Sequence, residues 1–564
     1  MPSAAPEQLL DRLDEAKRRF DVQAPVEIQK ILKRLSRQRV RDSDTLIRYH
    51  EILLFLRAYP QSATIVKLTE AELSTFARRV EQLREAGIDT SAMEHPELSG
   101  IAGTCVTDTF TYNIVRWLWQ RHPKQVSLNW EWFEDENRLA ETCPRFLPLL
   151  EEDAAVEANV PYREWLRAAR GRQRELDWFV KRFEALPISD KERGELYDSL
   201  KLYVQWQPGF RASRTGMRLP VRKFFYHRQP LIARRDVSLE RELLAPPVPL
   251  KTLARVQGER ILDLARETST VRYRELYGFT HGDPARVLKA SVGRGVDLFF
   301  IGLSPEKRLP LCAYHAAMIF KNGVSVGYFE GLSLFERMES GFNLYYTFRE
   351  GETAWIYAKT LAIVHQLLGI TAFSIDPYQI GYENEEGIES GAFWFYRKLG
   401  FRPTDPGLLK LALTEEQKLA TRASYRTPAR VLRKLAEAPM IFELAGTRIG
   451  DWDRFQVRKL GLVVQQRMAR EFAGDSVRIR RESVNAVTRA LRIRTRDWNE
   501  SEQVALNDLA LLLALIPDLG RWSEHDKSNT MRIIRAKAGA DEAQYLRLLQ
   551  RHTRLRAELI KVGS

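Results

Sequence analysis

The amino-acid sequence predicts an α+β multidomain protein, with a central mixed α/β domain flanked by mainly α-helical N- and C-terminal regions. Three observations predict it. Apolar residues recur at helical spacing from residue 7 to about 90 and again after residue 425. Between residues 297 and 413 the pattern changes to strand-length apolar runs alternating with helix-length ones. A chain of 564 residues, 44% hydrophobic and 29% charged, has room for three or four cores at roughly 150 residues per domain.

The expected segments are a helical domain over 1–90, a second helical domain over 91–207, a basic linker over 208–250, the α/β domain with its preceding helix over 251–424, and a helical C-terminal domain over 425–564. In the first, Leu46, Ile47, Leu53 and Leu54 mark one buried helix face, and Tyr59-Pro60-Gln61 breaks it. The second carries Trp117, Trp119, Trp130, Trp132 and Phe133, expected to be core, and an acidic helical stretch from Glu151 toward Leu186. The linker gathers Arg211, Arg214, Arg218, Arg222 and Lys223 near Phe224, Phe225 and Tyr226. Two readings stand for it: a solvated connector, or a track for an RNA backbone, in which cations meet phosphates and aromatics meet bases.

Net charge is +14, which favours an anionic partner without choosing among nucleic acid, a phosphorylated cofactor and a membrane surface. No run of eighteen apolar residues occurs and the first twenty residues lack the apolar centre of a signal peptide, so a cytoplasmic protein without membrane insertion is expected. Cys105, Cys143 and Cys312 stand far apart, which argues against disulfides and a thiolate zinc site; no metal is expected.

Within the α/β segment, Asp297–Leu303, Leu309–Phe320 and Val324–Phe335 read as strands, the last two joined by Lys321-Asn322-Gly323. Asn-Gly between apolar runs is a hairpin signal, since both residues tolerate positive φ. Met338–Tyr346 reads as a strand, Thr353–Leu368 as a helix stopped by Gly369, and Thr371–Ile375 as the next strand. A long loop over 376–389 leads to a short helix over Ser390–Leu399, and Phe401 with Leu408–Leu413 supplies the last strands.

That order, with Ala392-Phe393-Trp394-Phe395-Tyr396-Arg397-Lys398-Leu399-Gly400-Phe401-Arg402 in its second half, resembles the GNAT superfamily of N-acyltransferases over residues 296–413, about a fifth of the chain. In that family a helix with the sense A-x-x-x-Y-x-K-x-G-F lies beside the acyl-CoA, and Ala392, Tyr396, Lys398, Gly400 and Phe401 match it. A second signature, Q/R-x-x-G-x-G/A, holds the cofactor pyrophosphate on backbone N–H groups at a strand-to-helix turn. Two registers are open here. With Arg349 first, Ala354 is last and Glu352 stands where glycine belongs; with Gly351 in the glycine place, Phe348 is first and Thr353 last.

The resemblance implies acetyl-CoA or another acyl-CoA as co-substrate, held by Leu344, Tyr346, Phe348, Arg349, Gly351, Thr353 and Ala354. It implies Tyr396 as the acid that protonates the departing thiolate. Acyl transfer to an amine also needs a proton acceptor, for which Glu339, Asp376 and Glu330 are candidates. Tyr378, Glu383 and Asn384, on a loop holding Glu385, Glu386 and Glu389 as well, are the expected binding residues for a cationic acceptor. Three functions remain open: thioester-dependent N-acyl transfer, aminoacyl or acyl transfer from a tRNA, and a non-catalytic scaffold whose helical regions bind a partner protein.

Overall fold

The computed structural model describes residues 5–147 and 160–564. Part of the acidic helix expected from Glu151 lies outside the described residues. The chain folds into two compact units: Met1–Pro230 with Glu259–Thr280 and Lys321–Ser325, and Leu231–Gly258 with His281–Phe320 and Val326–Ser564. The expected segments 1–90 and 91–207 thus fall in one unit, and 425–564 falls in the same unit as most of the α/β segment.

In the first unit, Ser43–Ala58 is a helix buried along almost its whole length, because its apolar residues are spread round the axis rather than on one face. Asp42 caps it, accepting from Thr45 N at 2.8 Å. Helices Pro6–Ala16, Ala24–Leu35, Ala63–Leu73 and Phe76–Glu85 complete this region. Strands β1 (Val106–Asp108), β2 (Val126–Leu128) and β3 (Val204–Trp206) form a small antiparallel sheet with β3 central. Phe133 is buried as expected, but Trp132 is exposed. The indole N–H groups of Trp117, Trp119 and Trp130 donate to Asp263, Asp177 and Glu175 at 3.0, 2.7 and 2.8 Å, so these rings sit half-buried with their polar edge satisfied.

The basic segment is not uniformly solvated, which corrects both readings of it at Arg214. Arg214 is 4% exposed, paired with Glu51 and donating to Glu97 O at 2.5 Å. Arg218 pairs with Glu70 at 2.8 Å, beside the buried Arg57, which holds Glu70 at 2.9 Å and donates to Thr215 O at 2.7 Å. These contacts tie the chain near 214–218 to helix Ser43–Ala58, and a buried guanidinium needs such partners. Arg211, Arg218, Arg222 and Lys223 remain exposed.

The frame of the second unit is a nine-stranded sheet: β4 (Leu250–Thr252), β5 (Gly282–Gly293), β6 (Val296–Leu303), β7 (Ala313–Lys321), β8 (Val324–Leu334), β9 (Arg337–Leu344), β10 (Ala372–Ile375), β11 (Arg402–Pro403) and β12 (Met440–Glu443). Their spatial order is β11-β12-β10-β9-β8-β7-β6-β5-β4. The β9–β10 ladder is parallel; β4–β5, β5–β6, β8–β9, β10–β12 and β11–β12 are antiparallel. Helix Thr353–Leu368 makes the crossover that a parallel pair requires, and Gly369 ends it at φ 71°. Every residue of β7 is buried, His315 and Lys321 included, as befits a strand covered on both faces. Asn322 and Gly323 take φ 47° and 79°, the mirror-image turn expected of Asn-Gly.

Four expectations are corrected. The sheet begins at β4 and β5 rather than near Asp297, and Gly282 and Pro284 open a bulged strand. Leu408–Leu413 is not a strand but part of helix Pro406–Thr421, started by Pro406 in its first turn and by Asp405 accepting from Leu408 N at 2.8 Å. The long loop holds two helical pieces, Pro377–Ile380 and Glu385–Glu389. Beyond residue 425 the chain is not wholly helical, because β12 returns to pair with both β10 and β11. Six helices from Val457–Phe472 to Thr553–Gly563 follow it. Among the described residues no helix is long and apolar enough to cross a membrane.

Candidate active site

Strands β9 and β10 pair at only three positions, Arg337 with Ala372, Met338 with Phe373 and Glu339 with Ser374. Past that point β9 runs on to Leu344, whereas β10 ends at Ile375 and the chain turns away through Pro377–Ile380. The strands therefore part beyond Glu339. The next carbonyl of β9, Ser340 O, accepts instead from Gln379 Nε2 at 3.2 Å, so an amide side chain takes the place of a ladder partner.

Gln379 is also the partner of Tyr396, whose hydroxyl donates to Gln379 Oε1 at 3.4 Å. Tyr396 lies on the short helix Ala392–Arg397 and is 4% exposed. Its ring stands edge-on to Tyr357 at 5.7 Å and to Phe401 at 5.6 Å. Tyr357 comes from the crossover helix, and its hydroxyl is 3.0 Å from Ser340 Oγ. Burial pushes both phenols up from the ordinary tyrosine range, so both are O–H donors at neutral pH.

Across β9, Gly341 is paired with Glu330 of β8. A methyl group at Gly341 would stand 3.3 Å from Gln379 Nε2, so the missing side chain leaves the amide its place. Glu330 accepts from the Tyr314 hydroxyl. Burial pushes its carboxyl above the ordinary glutamate range, opposed by that hydrogen bond. A carboxyl with a raised pKa thus lies on the strand paired with β9 at Gly341, and the protonated phenol of Tyr396, on helix Ala392–Arg397, reaches the adjoining Ser340 O through Gln379.

Of the other expected proton acceptors, Glu339 pairs with Arg337 at 3.3 Å, and Asp376 is spent on capping Pro377–Ile380 through Tyr378 N at 2.9 Å. The expected acceptor-binding loop is partly neutralised. Glu385 pairs with Arg433 at 2.9 Å and Glu386 with Arg349 at 2.5 Å. Asn384 caps Glu385–Glu389 and donates to Tyr378 O at 2.9 Å, leaving Tyr378 and Glu383 exposed to solvent.

The residues expected to hold a cofactor make a tight turn. Gly351 N donates to Phe348 O at 2.9 Å and Thr353 Oγ1 to Arg349 O at 2.9 Å. Leu344 O accepts from Arg349 Nε at 3.2 Å. Phe348 and Ala354 are buried, and Tyr346 is 62% exposed. At the helix start, Glu352 is fully buried, its Oε1 accepting from Arg294 Nε at 2.6 Å and from Ile232 N at 3.2 Å. It makes no capping bond to its own helix. The N–H groups of Thr353, Ala354 and Trp355 have no carbonyl one turn earlier in the helix to bond, yet a buried carboxylate stands beside them.

The chain matches no protein-family model, no curated protein and no solved structure.

Sequence reasoning singled out Tyr396 and Glu330 but missed Gln379, which joins Tyr396 to Ser340 O, and missed Tyr357. Gln379 sits in a loop whose glutamates drew the attention, and Tyr357 looks like one more apolar residue on a buried helix face. A cavity of about 650 Å³ opens beside Pro377 and Ser374, but none of Tyr396, Gln379 and Glu330 lines it. Among the described residues, no three His, Cys, Asp or Glu side chains are grouped to hold a metal ion.

Proposed function

We propose that the second unit is an N-acyltransferase of GNAT type that moves an acyl group from a thioester to an amine in the gap where β9 and β10 part. The observation that carries this reading is Gln379 bridging Ser340 O and Tyr396 at the point where parallel pairing stops. An acyl chain entering there displaces the amide from a strand carbonyl and meets the phenol.

The acceptor amine attacks the acyl carbonyl, and Glu330 takes the proton that nitrogen must lose. The C–S bond then breaks, and Tyr396 donates a hydrogen bond to the sulfur as charge gathers on it. A phenol held above the ordinary tyrosine range does not give its proton fully to a thiolate whose acid has a pKa of about 8.5, so Tyr396 acts as a donor rather than a proton source.

An acyl-CoA is the donor of first choice. Glu352 limits it, because a carboxylate beside the first turn of Thr353–Leu368 repels a diphosphate, although Arg294 offsets part of the charge. That observation favours a second reading, an acyl- or aminoacyl-tRNA as donor, for which the net charge of +14 is apt.

Thermal unfolding of the full chain with millimolar acetyl-CoA, longer acyl-CoAs and free coenzyme A tests the proposal, since a ligand bound only to the folded state must raise the midpoint. A rise that Tyr396→Phe leaves intact while acyl transfer falls supports the first reading. No rise with any thioester, with salt-dependent binding of acylated RNA, supports the second. Neither response leaves the unit without acyl transfer.

A further inference from the structure

A cavity of about 210 Å³ lies against β5, β6 and β7 of the second unit, near the C-terminal end of helix Thr353–Leu368. None of the candidate active-site residues lines it. Leu288, Phe300, Leu303 and Leu367 make its apolar wall, and Arg308 and His315 stand in its polar one.

The polar wall lacks partners. Arg308 donates through Nη1 to Lys537 O at 2.6 Å, but its Nε and Nη2 are buried and bonded to no described residue. His315 is 7% exposed, and its Nδ1 likewise has no partner. The nearby charges are already committed. Glu542 is paired with Lys537 at 2.7 Å and accepts from Tyr314 N at 3.3 Å; Asp541 caps its helix through Ala543 N at 2.8 Å; Arg286 is paired with Asp283 at 2.8 Å. Arg308 is half-buried, and Glu542, Asp541 and Glu306 lie near enough to favour its charge, but no described residue bonds its Nε or Nη2, and buried donors left unbonded are costly.

The Nε–H and Nη2–H bonds of a guanidinium lie parallel on one edge, at the spacing that receives both oxygens of a carboxylate. We infer that this cavity binds a small carboxylic acid as its anion, the carboxylate on the free edge of Arg308 beside His315 and a short hydrocarbon chain against Leu288, Phe300, Leu303 and Leu367. At about 30 Å³ per water-sized group, the space suits a carboxylate carrying roughly four or five carbons. The inference is independent of acyl transfer, since it uses none of that site's residues.

The test is calorimetric titration of the full chain with hexanoate, butyrate, hexanamide and inorganic phosphate. Saturable binding of hexanoate, stronger than of butyrate and absent for hexanamide, is expected. Arg308→Gln should weaken hexanoate at least tenfold. Leu367→Trp, which fills the apolar end and leaves Arg308 in place, should do the same and keeps the test open if Arg308→Gln does not fold. Hexanamide binding as well as hexanoate, phosphate binding while hexanoate does not, or no binding of the acids at millimolar concentration overturns the inference.

Discussion

Replacing Glu352 with alanine separates what this residue does for the fold from what it does to a donor. Its Oε1 accepts from Arg294 Nε at 2.6 Å, from Arg294 Nη2 at 2.5 Å and from Ile232 N at 3.2 Å; Glu352 has no exposure, and the Arg294 side chain has 24%. Removing one partner of a buried ion pair costs ~3–5 kcal/mol, because the other charge is left uncompensated. Arg294 keeps enough exposure to turn toward water, which puts Glu352→Ala at the lower end, near ~3 kcal/mol, of which the orphaned Ile232 N–H accounts for ~1. Glu352→Gln keeps an acceptor for Ile232 and should lose only ~1–2 kcal/mol. The effect on a donor has the opposite sign. A charge in the first helical turn is worth ~0.3–1 kcal/mol to an anion there, so coenzyme A should bind roughly two- to fivefold more tightly to Glu352→Ala at low salt. Urea unfolding gives the first quantity and calorimetric titration with coenzyme A the second. A stability change below ~0.5 kcal/mol, the level of an ordinary surface substitution, would refute the reading of the ion pair. Weaker coenzyme A binding after the charge is removed would refute the repulsion.

The other predictions concern the gap and the buried charges. Tyr396→Phe should slow acyl transfer by ~100-fold, as loss of a donor at a developing charge does, while unfolding free energy changes by less than ~1 kcal/mol, since the bond lost to Gln379 is 3.4 Å long; thiol release and urea melts read the two. Glu330 must be ionised to act, so the rate should fall as pH drops through a pKa raised by burial, and Glu330→Gln should abolish that limb of the profile. Because the folded state holds the Glu330 proton to higher pH than the unfolded chain, wild-type stability should decline as pH rises through that window and the Gln variant should lack the decline. Gly341→Ala places a methyl 3.3 Å from Gln379 Nε2 and should cut activity by displacing the amide from Ser340 O; unchanged turnover would remove Gln379 from the site. Glu542→Ala strands the buried Lys537 ammonium at ~3–5 kcal/mol near neutral pH. Burial already holds Lys537 below the ordinary lysine range, and losing Glu542 lowers it further. Above that lowered pKa the unfolded chain binds more protons than the folded one, so the deficit should shrink as pH rises toward the ordinary lysine range; urea melts at stepped pH check it.

The sequence by itself determined the pieces whose conformation is decided within a few residues. The Asn322-Gly323 turn, helix Thr353–Leu368 with Gly369 behind it, strand Ala372–Ile375 and the short helix bearing Tyr396 were legible, because turn chemistry and hydrophobic period act locally. The capping signal Asp405-Pro406 was equally local, and the apolar run Leu408–Leu413 overrode it in the reading. Only the tertiary structure decided the rest. Strand β12 is four residues long and exists because β10 and β11 offer it partners 37 to 71 residues away. Arg214, one cation among many in the sequence, is buried because Glu51 and the Glu97 carbonyl lie where the chain returns. The candidate site has the same origin. Gln379 matters because two strands stop pairing at Glu339 and leave Ser340 O to be satisfied, and no local pattern records which long-range hydrogen bond goes unmade.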